Sequence, residues 1–215
     1  MKEIKAIIFD LDGVIVDSEP RHQRAFTEIF SEMGYAENHG IHFHKYIGTS
    51  DKSVWVDFIA RHQPKFTLDY LMDWKQKKYL EILHLDRPIY PEIPLLLEKL
   101  HARYPLAVAS GSLHPVIDAV LALKNLRHYF KTIVSSQDVT HPKPEPDIFL
   151  KTSENLGVPP SECCVIEDSA AGVKAGIRAG MKVIAITNTH EAIKLGSATH
   201  VVTSVGQIEK LLLPL

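Results

Sequence analysis

Cysteine is almost absent from this chain: there are two among 215 residues, side by side at Cys163 and Cys164. A disulfide framework is thereby excluded, a bond between such neighbours being strained, and a cysteine-based metal site lacks partners. Both sit in the apolar run Cys163-Cys164-Val165-Ile166, which reads as a buried strand carrying reduced thiols, as expected of a cytoplasmic protein. An excess of one charge is lacking too, since 24 Lys and Arg against 26 Asp and Glu leave a formal net charge of -2 at pH 7. That balance offers no basic footprint for nucleic acid and no polybasic anchor for a membrane. Long apolar runs are missing. The first, Ala6 to Phe9, stops after four residues at Asp10, too short for a signal-peptide core or a membrane span. There is no repeat, no low-complexity tract, no dinucleotide fingerprint and no Walker loop. The 12 histidines form no ligand pair with convincing spacing.

What is present is the composition of a soluble globular chain, 45% hydrophobic and 23% charged, long enough for a full core and for one domain carrying an insertion. Short β-branched and small apolar runs predict buried parallel strands at Ala6 to Phe9, Leu106 to Ala109, Thr132 to Val134, Val165 to Ile166, Val183 to Ile186 and, more weakly, Val201-Val202. Between them apolar residues recur at helical spacing, as in Ile93, Leu96, Leu97 and Leu100 and in Val116, Ile117, Val120 and Leu121. Alternating strand and helix predict an α/β fold with a doubly wound, Rossmann-like parallel sheet. Residues 18–86 interrupt the alternation with helical patterns alone: one opening at Pro20 and stopping at Gly34, then Asp51 to His62 and Leu68 to Leu83. The expected division is a core of 1–17 and 87–215 with a helical insertion at 18–86. Gly172, Gly176 and Gly180 fall along one predicted helix face, where they would let that helix pack closely on the sheet.

Four polar clusters follow predicted strands, where open α/β sheets bind their ligands. Asp10-Leu11-Asp12-Gly13 is either a turn whose acids cap backbone amides or a pair of carboxylates awaiting a cation. Ser110-Gly111-Ser112 can hold phosphate oxygens through hydroxyls and an amide, or serve as an ordinary turn or helix cap. Lys143 stands in His141-Pro142-Lys143-Pro144-Glu145-Pro146-Asp147, where prolines stiffen a loop that aims one cation; a lone surface lysine has no such use. Glu167-Asp168-Ser169 suits a hard cation or a helix N-terminus. Taken together, these clusters supply the parts phosphoryl transfer needs: a nucleophile, a cation site and positive donors for the phosphoryl oxygens.

In order along the chain, Phe9-Asp10-Leu11-Asp12-Gly13-Val14, Ser110, Lys143-Pro144-x-Pro146-Asp147-x-Phe149 and Ile166-Glu167-Asp168-Ser169 resemble the haloacid dehalogenase superfamily, in the phosphatase subgroup that contains β-phosphoglucomutase. The resemblance covers essentially the whole chain. It implies that Asp10 is the nucleophile that becomes phospho-aspartate and that Asp12 is the acid and then the base. By the same resemblance Mg²⁺ is held by Asp10, Asp168, the main-chain carbonyl of Asp12 and, through water, Glu167. Ser110, Gly111, Ser112 and Lys143 would neutralise the transferring group, and residues 18–86 would be the cap. The implied partner is a small phosphorylated metabolite, a sugar or polyol monophosphate, with no nucleic acid and no membrane; a monomer is compatible with the sequence.

In the cap, His22 and Lys75 match residues of the mutase branch that position the acid/base and touch substrate; equally, they read as a helix-surface histidine and one lysine among several in Lys75-Gln76-Lys77-Lys78. The mutases place an arginine after a Gly-x-Ser for a second phosphate. Here Gly48-Thr49-Ser50 precedes Asp51 and Lys52, and an acid at that point repels phosphate. Hydrolysis is therefore expected over isomerisation, with the mutase as the alternative. A receiver-like signalling domain needs neither the insertion nor Asp12, and a purely binding protein would not need every catalytic position filled.

Overall fold

The computed structural model describes residues 3–46 and 50–214, so Gly48 and Thr49 of the expected cap motif lie outside the described residues. The chain separates into two compact units, Met1–Asp17 with Pro88–Leu215, and Ser18–Arg87. In the first, six parallel strands, β1 (Ala6–Phe9), β2 (Leu106–Ala109), β3 (Phe130–Val134), β4 (Cys163–Glu167), β5 (Lys182–Ile186) and β6 (His200–Val202), lie in the order β3-β2-β1-β4-β5-β6. The α-helices are α1 (Glu19–Glu32), α2 (Asp51–His62), α3 (Leu68–Asp86), α4 (Ile93–His101), α5 (His114–Ala122), α6 (Asp147–Leu156), α7 (Ala170–Arg178), α8 (Ala192–Leu195) and α9 (Val205–Leu212). The doubly wound parallel sheet read from the alternation is thus the fold of this unit.

β1 and β4 are buried along their whole length because helices cover both sheet faces. One face joins Ala6, Ile8, Ala107, Ala109, Val165 and Val183 to Ile148 and Phe149 of α6 and Val173 of α7; the pleat turns Ile7, Phe9, Val108 and Ile166 to the other. Register is explicit, with Phe9 beside Val108 on one side and Ile166 on the other. Several boundaries differ from the sequence reading: β4 spans Cys163–Glu167 and not Val165 to Ile166 alone, and β5 begins at Lys182. β3 and β6 begin one or two residues earlier, and α3 runs on to Asp86, because the chain first turns left-handed at Arg87, φ 50°. Gly180 lies beyond α7, and a Cβ there would meet nothing within 4 Å, whereas one on Gly176 would stand 2.7 Å from Val183, so Gly176 does seat the helix.

Cys163 and Cys164 are free and buried in β4. Burial pushes the Cys163 thiol up to about 11 and the Cys164 thiol up to about 12. Both stay protonated at neutral pH, so iodoacetamide at pH 7.5 is expected to leave the native protein unmodified and to label both sites only in denaturant. Rapid labelling of the folded chain, read by mass spectrometry, would contradict the buried β4.

The helical unit has its own core. Phe26, Ile29 and Phe30 of α1 meet Val54, Trp55 and Phe58 of α2 and Leu71 of α3, with the Phe30 and Phe58 rings stacked at 4.5 Å. No helix among the described residues is long and apolar enough to cross a membrane.

Candidate active site

The winding of the sheet reverses between β1 and β4: from β1 the chain reaches β2 and β3 on one side, then returns to add β4 to β6 on the other. Loops leave such a switch point in opposite directions and open a crevice at the carboxyl edge. Asp10, the first residue after β1, is pinned there by its amide, which donates to Ile166 O of β4 at 2.9 Å. Glu167 ends β4 and Asp168 follows it; Ser110 follows β2 and donates its amide to Val134 O of β3 at 3.0 Å. Sequence positions more than 150 residues apart thereby meet.

Lys143 is the hub. Its Nζ donates to Asp10 Oδ1 at 2.6 Å, to Glu167 Oε1 at 2.8 Å and to Ala109 O at 3.1 Å, and lies 4.9 Å from the centre of the Phe149 ring. The loop that carries it is clamped from outside: Arg178 donates to Pro144 O and Glu145, and His141 bonds Asp147 at the start of α6. Two carboxylates hold the Lys143 ammonium well above the usual lysine range despite burial. Asp10 moves the other way from an ordinary ion pair. Burial raises it, Lys143 opposes this, Glu167 and Asp12 add to it, and its carboxyl is pushed up to about 7. Asp168 is raised as well, by burial first and then by Glu167 and Asp10. Desolvation and like charge outweigh one lysine here.

Carboxylate oxygens of Asp10, Glu167 and Asp168 lie within 4.8 Å of one another, all buried. This all-oxygen, net negative donor set fits a hard divalent cation, which would relieve the repulsion that raises Asp10 and Asp168. Glu167 is already committed: Oε1 holds Lys143 and Oε2 accepts from the amides of Asp168 and Ser169 and from the Ser169 hydroxyl, at 2.8, 2.8 and 2.9 Å. Such a carboxylate orients its neighbours and fits a cation through water better than directly.

Two glycines leave the space the acids occupy. A Cβ on Gly13, at φ +72°, would stand 1.7 Å from Asp168 Oδ2, and one on Gly172 would stand 1.7 Å from Glu167 Oε1. Gly172→Ala is therefore expected to force Glu167 off Lys143, destabilise the fold by about 1–3 kcal/mol and lower turnover at least about tenfold. An unchanged urea midpoint together with wild-type turnover would show that Glu167 can move aside without cost.

Asp12 is half-buried, its Oδ2 accepting from Ser112 Oγ at 2.7 Å; Ser110 is fully buried and its Oγ accepts from the Ser112 amide at 3.0 Å. Gly111 is exposed and a Cβ there would meet nothing within 4 Å, so it is its amide, and not the lack of a side chain, that can serve the site. The loop after β5 was missed from sequence. Asn188 donates to Gly13 O at 2.7 Å, and the Thr189 side chain hydrogen-bonds Asp168. The strand-end rule that flagged the other loops applies to this one equally, but Asn188-Thr189 carries no acid or lysine to draw notice.

The remaining positions form a separate cluster inside the helical unit. Lys75 is 1% exposed, so it is no solvated surface lysine. Its Nζ donates to Asp51 Oδ2 at 2.6 Å and to His22 Nδ1, and sits 4.7 Å from the Tyr79 ring centre, while His22 stacks on Tyr79 at 3.9 Å. Asp51, not Lys52, joins this group; Lys52 is exposed.

The sequence pattern of the haloacid dehalogenase-like hydrolases matches residues 7–186. Fructose-1-phosphate phosphatase YqaB of Escherichia coli K12 is 33% identical over 183 residues, covering 83% of this chain and 94% of that protein. Phosphoglycolate phosphatase of Aquifex aeolicus is 34% identical over 180 residues, covering 83% of each. Among solved structures, β-phosphoglucomutase from Clostridium difficile superposes with a TM-score of 0.77 at 25% identity, covering 95% of this chain and 93% of that one. The chain belongs to the haloacid dehalogenase-like hydrolases, in the branch of that family that groups phosphatases with phosphoglucomutase-like proteins.

Proposed function

We propose that this phosphoric monoester hydrolase removes phosphate from small sugar or polyol monophosphates through an aspartyl-phosphate on Asp10, with Mg²⁺. The observation that carries this reading is the buried convergence of Asp10 and Lys143 with Glu167 and Asp168 at the sheet's switch point. Asp10 attacks phosphorus as the bond to the leaving alcohol breaks, and Asp12 gives that oxygen a proton. Water then attacks the aspartyl-phosphate, its proton passing to Asp12, and Asp10 is regenerated. Splitting the transfer in this way is nucleophilic catalysis, and a positioned acid/base contributes about 100- to 10,000-fold. Lys143, the Ser110 hydroxyl and the Gly111 amide bind the phosphoryl oxygens. Asp10, Asp168, the Asp12 carbonyl and, through water, Glu167 would hold Mg²⁺, which when bound supplies positive charge for an incoming dianion that these acids otherwise repel.

Substrate choice falls to the helical unit acting as the cap, with His22, Lys75 and Asp51 as its selecting residues. Asp51, engaged by Lys75 at 2.6 Å, supplies no cation for a second phosphate, which favours hydrolysis over isomerisation. Buried unpaired thiols suit a reducing compartment, the cytoplasm.

The test is phosphate release from a panel of sugar, polyol and nucleotide monophosphates, with Mg²⁺ and with chelator, including β-glucose 1-phosphate with its bisphosphate. Release that needs Mg²⁺ and is strongest on sugar or polyol esters supports the reading. Isomerisation outrunning release would make the chain a mutase, and a long-lived phosphoprotein without release would make it a signalling domain.

A further inference from the structure

The main chain at Asp12 is fixed by its own turn. The turn around it is closed by the amides of Ile15 and Val16, which donate to Leu11 O at 2.8 and 3.1 Å, by Gly13 N to Val16 O at 2.8 Å, and by Asn188 on Gly13 O. None of these backbone bonds engages the carboxylate. The Ser112 hydroxyl does, through its 2.7 Å bond to Oδ2. Ser112 is itself braced. Its carbonyl accepts from the amide and hydroxyl of Ser136 at 3.3 and 3.4 Å, its amide donates to Ser110 Oγ, and two residues on His114 N donates to Gln137 Oε1 at 2.9 Å. The 135–138 turn that supplies these contacts is stiffened in turn by Asp138, which accepts from the Ser135 amide and hydroxyl and pairs with His114.

We propose that Ser112 is the positioning residue for Asp12, setting the face of the carboxylate that handles the proton. With Oδ2 committed to the Ser112 hydroxyl, the exchangeable proton is confined to Oδ1. When Asp10 bonds phosphorus and the ester P–O bond breaks, that proton goes to the departing alkoxide. When water bonds phosphorus and the Asp10–P bond breaks, the water's proton returns to Oδ1. The hydroxyl of Ser112 donates to Oδ2 throughout, so nothing around Asp12 need reorganise between the two steps. This assigns Ser112 a task other than binding phosphate, and it rests on the acid/base role given to Asp12 above.

A misaligned acid hurts most where the leaving group most needs a proton. Ser112→Ala and Ser112→Thr are to be compared with the wild type and with Asp10→Asn, the folding of each checked by circular dichroism. The substrates are an alkyl ester, glycerol 1-phosphate, and an aryl ester, p-nitrophenyl phosphate, whose phenolate leaves unprotonated. For Ser112→Ala the expected result is a fall in kcat of about 10- to 100-fold on the alkyl ester with KM nearly unchanged. The burst of p-nitrophenolate should fall far less, and Ser112→Thr, which keeps the hydroxyl, should recover most of the loss. Equal losses on both esters, a rise in KM with kcat intact, no loss at all, or no recovery in Ser112→Thr would each overturn the proposal. A wild type that releases no phosphate in an Asp10-dependent way overturns the phosphatase reading and this inference with it, whereas Asp10-dependent release with any of the four preceding outcomes sinks the role of Ser112 alone.

Discussion

Asp10→Asn is expected to lower phosphate release at least about 10,000-fold while leaving the metal-free protein as stable as the wild type, or more stable, at neutral pH. The first half follows from the nucleophile role proposed for Asp10. The second follows from the position of the group: burial, then Glu167 and Asp12, hold the Asp10 carboxyl up to about 7 against the pull of Lys143. The folded-state value lies above the ordinary 3.8, so the stability that the protonated carboxyl provides is complete below about 4 and is lost as pH rises to about 7. An amide of the same shape has nothing to lose over that range, and Lys143 keeps Glu167 as its partner at 2.8 Å. Thermal melts in chelator should therefore fall between pH 5 and 7.5 more steeply for the wild type than for the variant. Adding Mg²⁺ should raise the melting temperature of the wild type and much less that of the variant, because binding to the native state alone stabilises it. Parallel slopes and equal Mg²⁺ shifts would show that Asp10 neither titrates in this range nor holds the ion.

Lys143→Met carries the second large effect, this time on both properties. The Lys143 and Glu167 side chains are 12% and 1% exposed, so removing the ammonium leaves Glu167 and Asp10 facing each other without a cation. Breaking a buried pair by deleting one partner costs about 3–5 kcal/mol, and losing the charged donor proposed above for the transferring group is expected to cost about 100- to 1,000-fold in kcat. Urea unfolding in chelator and steady-state turnover with Mg²⁺ measure the two separately. A variant with the wild-type urea midpoint would mean that the acids are neutralised by protons and that the ion pair contributes little. Lys143→Arg is not expected to restore turnover, since a planar fork cannot meet Asp10, Glu167 and Ala109 O from one point as the ammonium does.

Much of this fold can be read along the chain because its strands are short, apolar and ended by chemistry. Ala6 to Phe9 and Leu106 to Ala109 are strands over the expected residues, each followed at once by a polar group, Asp10 or Ser110. β3 starts earlier than its apolar signature, since Lys131 lies exposed on a sheet edge and breaks the pattern. The site clusters were legible for the same reason that the strands were, because acids and a lysine beside buried strands have no cheap structural use. What the sequence hides is direction. Glu167 and Asp168 are adjacent, yet Oε2 of the first is bound up by three donors of its own turn while the second faces Asp10. Ser112 resembled a phosphate ligand and points its hydroxyl at Asp12. Lys75, within a run of lysines that reads as a solvated face, turns inward because its place on α3 falls on the buried stripe with Leu71 and Tyr79. Asn188 and Thr189 carry no signal beyond following a strand.

The order β3-β2-β1-β4-β5-β6 also has a meaning for the ribosome. β1 is the earliest strand to emerge, yet it ends up in the middle of the sheet, its second neighbour beginning only at Cys163. At about 5–20 residues per second, the interval from Phe9 to Cys163 lasts roughly 8–30 s. During that interval the helical unit, complete at Arg87 and holding its own aromatic core, can fold, while β1 stays unpaired on both edges until β2 arrives at Leu106 and on one edge until β4. Glu167 at the end of β4 and Asp168 just after it arrive with that same late strand, so the nascent chain completes its buried acid cluster and covers the second edge of β1 in one event.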